Sequence, residues 1–380
     1  MKNYLQSKES EMLALLERLV SIDSGSAYKE GVDKVGEVLR EQYTQVGFCP
    51  KIYEQSKTGD NIVLTLQDSV TKPIILLIAH MDTVFKTGTA KQRPFTVKGE
   101  RAYGPGVIDM KASQVALLYT MKALKEHHPD VLGHVQIVLN GDEEIGSPTS
   151  RSLIEEYAAG KQYALVMEPA RKDGSLVTAR RGGGRYTMYI KGKGAHSGIE
   201  PQNGISAIEE LAHKIIKLHA LTDHEAGVSV SVGIVEGGES VNTIAPSAVG
   251  HVDVRITFAD QAEWLDRRIR EICEVPDVAG TSIVLEGGLN RPPMEKNEQT
   301  VELLNIIQKV GKELGITITD VATGGGSDAS FTSSLGIPTI DGLGPIGGNA
   351  HSDEEYLEIA SLVERTELLA NVLVNLVEKQ

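Results

Sequence analysis

Cysteine is nearly absent from this 380-residue chain. Cys49 and Cys273 are too few and too far apart for a disulfide scaffold, and they rule out a Cys-rich zinc site. Any metal held here must take His and carboxylate ligands. Positive charge is also short: 38 Lys and Arg stand against 52 Asp and Glu, a formal net charge of −14. That balance argues against a nucleic-acid partner, whose phosphates select a basic surface. No stretch approaches about 18 consecutive apolar residues, so no membrane span is expected. The N-terminal segment (MKNYLQSKESEMLALLERLV) has charges throughout and no apolar core of signal-peptide kind, so a cytoplasmic location is expected. Its Met12, Leu13, Leu16, Leu19 and Val20 recur at helical spacing instead. His-Glu-x-x-His, the Gly-x-Ser-x-Gly elbow and the Gly-x-x-x-x-Gly-Lys-Ser/Thr phosphate loop are all missing.

The chain is longer than one hydrophobic core usually supports, so two domains are the starting expectation. Short apolar runs at 74–79 (IILLIA), 135–139 (VQIVL) and 163–167 (YALVM) alternate with helix-like stretches such as 113–126. Strands apolar on both faces, separated by helices, indicate an α/β fold whose sheet is covered on both sides. After Gly182 the texture changes. Segments 185–191, 228–236 and 249–258 alternate apolar and polar residues as antiparallel strands with one wet face do, with helical segments at 204–220 and 261–273. From Pro293 the α/β texture returns, with a helix near 300–314 and another after Glu358. The simplest account is an α/β domain (1–180 and 292–380) interrupted by an inserted α+β domain (181–291).

Several acids and histidines stand directly after the buried runs, where open α/β sheets form ligand sites. IILLIA ends in His80-Met81-Asp82, VQIVL in Asn140-Gly141-Asp142-Glu143-Glu144, and YALVM in Glu168-Pro169. Taken singly, each has an ordinary reading: His80 a loop or core histidine, the acidic triplet a solvated turn, Asp109 a helix N-cap, His351 a surface histidine. Glu168 argues harder, because a carboxylate following a buried strand needs a partner. Taken together, two histidines and several carboxylates at the strand ends of one sheet make an oxygen-rich metal site of the kind that holds paired zinc ions.

HMDTV (80–84), AYGPGVIDMK (102–111), NGDEEIGS (140–147), MEP (167–169), GAHSG (194–198), GGGSDAS (324–330) and AHSDEE (350–355) occur in one order over nearly the whole chain. Together they resemble the M20 metallopeptidase family, within it the glutamate carboxypeptidase (carboxypeptidase G2-like) branch. The resemblance implies a zinc-exopeptidase-like domain with a central, mostly parallel sheet, interrupted by a lid or dimerisation domain. It implies two Zn²⁺ per subunit, with Co²⁺ or Mn²⁺ as substitutes. Asp109 would bridge the metals, His80 and Glu168 would complete one site, and Glu144 and His351 the other. Glu143 would be the general base, Asp82 would steer His80, and His196 would face the reacting carbonyl, with the partner subunit as one source of it. The peptide bond after Asp109 would be cis, and Met110 stands where relatives often carry an acid.

Arg255, Asn242 and the Gly324–Ser327 loop, with Gly325, Gly326 and Ser327, match positions associated with substrate binding. Gly-rich loops offer backbone N–H groups to anions, although Arg255 also reads as a surface-strand arginine and the loop as an ordinary turn. The expected activity is cleavage of an amide bond next to a free carboxylate in a small peptide or N-acyl amino acid, releasing a residue such as glutamate. The alternatives are an N-acyl-amino-acid deacylase, an aminopeptidase, or an inactive binding relative. A homodimer through the inserted domain is expected.

Overall fold

The computed structural model describes residues 1–69 and 71–378, which divide into two compact units. The first contains Met1–Ala179, Lys296–Thr323 and Ser327–Gln380; the second contains Arg180–Glu295 and Gly324–Gly326. The triple-glycine loop thus groups with the second unit, although the chain on both sides of it belongs to the first.

In the first unit a six-stranded sheet runs in the order Phe48–Tyr53, Asn61–Leu66, Val135–Asn140, Ile75–His80, Tyr163–Val166, Thr339–Ile340. The pairings from Val135–Asn140 through Thr339–Ile340 are parallel, and the other two are antiparallel. Ile75–His80 and Val135–Asn140 are buried at every position. That is why they read in sequence as unbroken apolar runs rather than alternating ones. The helix Ala112–His127 packs against both Lys2–Val20 and Ile359–Glu378, so helices from the two ends of the chain meet on one core. Lys2–Val20 buries Leu5, Met12, Leu16, Leu19 and Val20 along one stripe.

Two elements of this unit carry weak signals in the sequence. Lys29–Val46 is a helix whose buried stripe is built from Val32, Val35, Val38 and Leu39, and valine is a mediocre helix former. Phe48–Tyr53 contains Pro50, which demotes a strand pattern; it is the edge strand of the sheet, where a missing N–H costs least.

The second unit is a four-stranded antiparallel sheet in the order Ser229–Gly237, Ser247–Ile256, Gly182–Lys191, Ser282–Arg291. Its helices Ala207–His219 and Gln261–Glu274 pack against it, and Leu211, Leu218, Leu265 and Ile269 meet Tyr186, Met188, Val252 and Val254 in its core. Ser282–Arg291 is the strand that alternation did not single out. Gly287 and Gly288 interrupt its pattern, and its register shifts between Leu289 and Arg291. Beneath the first helix lies a charged cluster: Lys214 Nζ is 3.0 Å from Glu210 Oε1 and 2.7 Å from Asp277 Oδ2. Glu210 also accepts from the Asp277 and Val278 amides at 2.8 and 2.6 Å. No helix among the described residues is long and apolar enough to cross a membrane.

Candidate metal centre

The parallel register fixes where the acids and histidines go. His80 pairs with Asn140 across one neighbour, and Ile78 with Val166 across the other. The residues that follow these three strand ends therefore leave from the same edge of the sheet. His80, Glu143, Glu144 and Glu168 converge there. Asp109 enters from the turn Val107–Lys111, which feeds the helix Ala112–His127, and the Asp109–Met110 peptide is cis. His351 arrives on a loop, with its backbone in the left-handed region at φ 64°.

Asp109 occupies the centre. Its Oδ1 lies 3.2 Å from His80 Nε2 and its Oδ2 lies 3.2 Å from His351 Nε2. Glu168 Oε1 is 3.6 Å from His80 Nε2, and Glu144 Oε2 is 3.2 Å from His351 Nε2. Ligand atoms of His80, Asp109 and Glu144 all lie within 4.8 Å of one another, as do those of His80, Glu143 and Glu168. Geometry alone therefore groups Glu143 with possible ligands too. What separates the neighbours is that Glu144 faces His351 while its Oε1 is buried without a hydrogen-bond partner. A buried, unpaired carboxylate oxygen is costly and calls for a cation.

The field of the cluster favours positive charge. Burial opposes charge on His80, yet hydrogen bonds to Asp109 and Asp82 outweigh it and hold its pKa well above the ordinary imidazole range. His351, bonded to Asp109 and Glu144 and 53% exposed, is raised to about 10. Burial would raise Asp109, but His351 and His80 hold it below the usual carboxylate range. Glu168 is pushed well up by burial and by the charge of Asp109. Carboxylates this crowded, with two imidazoles presenting Nε2, suit hard or borderline divalent cations.

Asp82 contacts more than His80. The ring Nδ1 of His80 lies 3.0 Å from the Asp82 carbonyl and 3.4 Å from its Oδ1, which leaves Nε2 turned toward Asp109. The buried Asp82 carboxylate also accepts the Glu143 and Glu144 amides, each at 3.2 Å, and the Ser26 hydroxyl at 2.6 Å. It thereby ties the histidine strand to the double-glutamate turn. Met110 has a packing role where an acid was the alternative: it is buried, and the His80 amide donates to its Sδ at 3.1 Å.

A second layer, not singled out in the sequence, braces that turn. Asn140 donates to Asp328 at 2.7 Å, and the Ser147 hydroxyl donates to the other oxygen of Asp328. The buried Asp142 accepts from the Thr149 amide at 2.6 Å and from the Ser150 hydroxyl at 2.5 Å. Its place in the acidic triplet was the available signal. A cavity of about 610 Å³ lined by Tyr28, Thr83, Val84, Phe85 and Ile145 shares Glu144 with the cluster. Another, of about 350 Å³, is bordered by Ile108, Pro169, Arg171, Lys172 and Asn349.

The remaining expected residues belong, except for Ser327, to the second unit. His196 is exposed on the short strand Ala195–His196, paired with Thr243–Ile244. Its Nδ1 accepts the Gly198 amide at 3.1 Å, so in the neutral ring the proton sits on Nε2, free to donate. Asn242 is its neighbour: the Asn242 carbonyl accepts the Ser197 amide at 2.9 Å. Arg255 forms a two-pronged pair with Asp253 at 2.9 and 3.0 Å. The arginine that holds the glycine loop is Arg180, which donates to the Gly325 and Gly326 carbonyls at 3.1 and 3.4 Å. Ser327, in the first unit, is buried and spends its hydroxyl on Asp341, so its side chain serves the fold.

Residues 76–375 match the peptidase family M20/M25/M40, and the chain belongs to that family; it is a metallopeptidase. Its similarity runs to the carboxypeptidase G2-like branch. It is 31% identical over 380 residues to carboxypeptidase G2 of a Pseudomonas species, covering 97% of this chain and 90% of that protein. Among solved structures, a tripeptidase from Staphylococcus aureus superposes with a TM-score of 0.81 at 24% identity, covering 98% and 99% of the two chains. A Bacillus subtilis protein described as a dinuclear metal binding peptidase from the M20 family has a TM-score of 0.72 at 17% identity, covering 99% and 100%.

Proposed function

We propose that the protein is a two-metal carboxypeptidase that releases a C-terminal amino acid such as glutamate from a small peptide or N-acyl conjugate. The observation that carries this is the single cluster in which Asp109 stands between His80 and His351, with Glu144 and Glu168 flanking. The likeness to carboxypeptidase G2 favours release of a residue with a free carboxylate, and the description of the Bacillus relative favours two metals. His80, Asp109 and Glu168 would hold one ion and Asp109, Glu144 and His351 the other, zinc being the first choice for this donor set. Bound there, the ions supply Lewis acidity toward the scissile carbonyl and toward water.

The rest falls to side chains. Glu143, next to the ligands and tied through its amide to Asp82, takes the proton of the attacking water and returns it to the leaving nitrogen. Asp82 fixes the ring of His80 and the Glu143–Glu144 turn at once. His196, with Nε2–H free, donates to the oxyanion. Arg255, Asn242 and the backbone of Gly325 and Gly326 receive the substrate carboxylate. The cavity lined by Tyr28 and Phe85 accommodates the acyl side, and the cations Arg171 and Lys172 suit an acidic leaving residue. The inserted unit pairs two subunits and supplies His196 to the partner's centre. The test is release of amino acids from N-acyl amino acids and dipeptides, each as free acid and as C-terminal amide. Free acids should be turned over and amides should be poor; equal turnover of both removes the carboxypeptidase assignment.

A further inference from the structure

Glu355 is a buried carboxylate with no part in the chemistry above. It is 1% exposed and lies four positions beyond His351 in the chain. Its Oε2 accepts the Gly106 amide at 2.9 Å, and its Oε1 accepts the Ile108 and Asp109 amides at 2.9 and 3.0 Å. Those three amides belong to the turn that delivers Asp109 to the centre of the cluster. One segment therefore grips Asp109 twice, through His351 at the carboxylate and through Glu355 at the backbone.

The arrangement is specific in chemistry and in space. Three converging N–H groups need two acceptor oxygens, which a carboxylate provides and an amide side chain does not. Gly106 sits in the left-handed region at φ 71°, and a Cβ there would meet Thr83 Cγ2 at 2.6 Å. The turn is thus wedged against the strand end that also carries His80 and Asp82. Burial, with the charge of Asp109 added to it, makes a carboxylate at this position costly to ionise. A loop that needed only a cap could use a hydroxyl at lower electrostatic cost.

We propose that Glu355 is the positioning residue for Asp109. It sets the shared carboxylate at the point between the two metal sites, so that both sites depend on it although it touches neither ion. The inference rests on the two-metal reading. The full chain, stripped with a chelator, is titrated with zinc against a chromophoric competitor, for the wild type, Glu355→Gln and Glu355→Asp. Near-ultraviolet circular dichroism monitors the fold, and the visible spectrum of the cobalt-loaded protein monitors the coordination.

Glu355→Gln turns N–H donors toward a turn that offers only donors. It should weaken binding of both zinc ions on the order of 10–100-fold, the usual cost of losing a residue that orients a ligand. Its cobalt spectrum should change, and kcat at saturating zinc should fall with KM little altered. Glu355→Asp, which keeps the charge, should lie between the two. Wild-type zinc affinity and an unaltered cobalt spectrum in Glu355→Gln, with only a lower unfolding temperature, would overturn the proposal. So would failure of both variants to fold even with zinc, which would make Glu355 a folding residue. A wild-type chain that takes up no zinc would overturn the metal reading itself.

Discussion

Glu143 and Glu144 are neighbours on one short turn, and exchanging each for glutamine separates their roles. Both substitutions are nearly isosteric. Neither touches the two backbone amides that anchor the turn to Asp82 at 3.2 Å, so the turn should survive both. On the proposed assignment, glutamine at 143 removes the proton carrier and leaves Asp109, Glu144, Glu168 and both histidines in place. Loss of general acid–base catalysis lowers kcat on the order of 10²–10⁴-fold, equivalent to about 2.7–5.5 kcal/mol in the barrier. Zinc content should stay at the wild-type level.

Glutamine at 144 acts differently. It neutralises the carboxylate that lies 3.2 Å from His351 and whose other oxygen is buried without a partner. One of the two sites should then lose zinc on dialysis, and activity should recover in part when zinc is added back. Elemental analysis of dialysed protein, with kcat and KM measured before and after zinc addition, reads both effects. Chelated wild type, expected to be inactive, is the reference. Since the ligand atoms of Glu143 also converge with those of His80 and Glu168, the reverse result has a clear meaning. If Glu143→Gln empties a site and Glu144→Gln does not, the assignment of base and ligand is inverted.

Three further outcomes are expected. His196→Ala and Glu143→Ala should each be inactive, and their co-expression should restore about a quarter of wild-type activity, since random pairing makes about half the dimers mixed with one intact site each; mixed dimers that form but stay inactive exclude a histidine supplied by the partner. Arg255→Ala should raise KM for free-acid substrates and leave kcat largely intact; an unchanged KM would mean that Arg255 only pairs with Asp253. In the second unit, Lys214→Met leaves the buried Glu210 with its backbone donors but without its cation, and should destabilise the fold by about 3–5 kcal/mol in chemical denaturation, a change below about 1 kcal/mol refuting that account of the cluster. The sign of the pH dependence follows from the same residues. The Lys214 and Lys217 ammonium groups lower Asp277 to about 2, and Glu210 is also lowered, since backbone amides and Lys214 outweigh its burial. Their contribution should therefore be complete above the ordinary carboxylate range and lost as pH falls toward about 2.

The sheet edge was readable because three central strands are almost wholly buried, and each ends in, or is followed within four residues by, a histidine or an acid. The same reading could not separate Glu143 from Glu144, since adjacent residues on a turn share every local signal; only the family resemblance did so. Glu355 was hidden for a different reason. Its partners Gly106 and Ile108 lie 249 and 247 positions away, and nothing local distinguishes it from Glu354, which is exposed. The Asn140–Asp328–Ser147 contacts were invisible for the same cause. The contact of Arg180 with the Gly325 and Gly326 carbonyls had no signal either, because the two ends lie about 145 positions apart.

The chain order of the cluster carries a consequence for biosynthesis. His80, Asp109, Glu143, Glu144 and Glu168 are all made before the second unit begins at Arg180, whereas His351 and Glu355 come only after it is complete. Domains fold as they leave the ribosome, N-terminal parts first, so the early strands can pair while their acids still lack the segment that closes over Asp109. A nascent or truncated chain carries most of the donors and none of the closure. On the proposed assignment, tight zinc uptake is expected only once His351 and Glu355 have been made, and a chain ending before them should bind zinc weakly in a competitor titration.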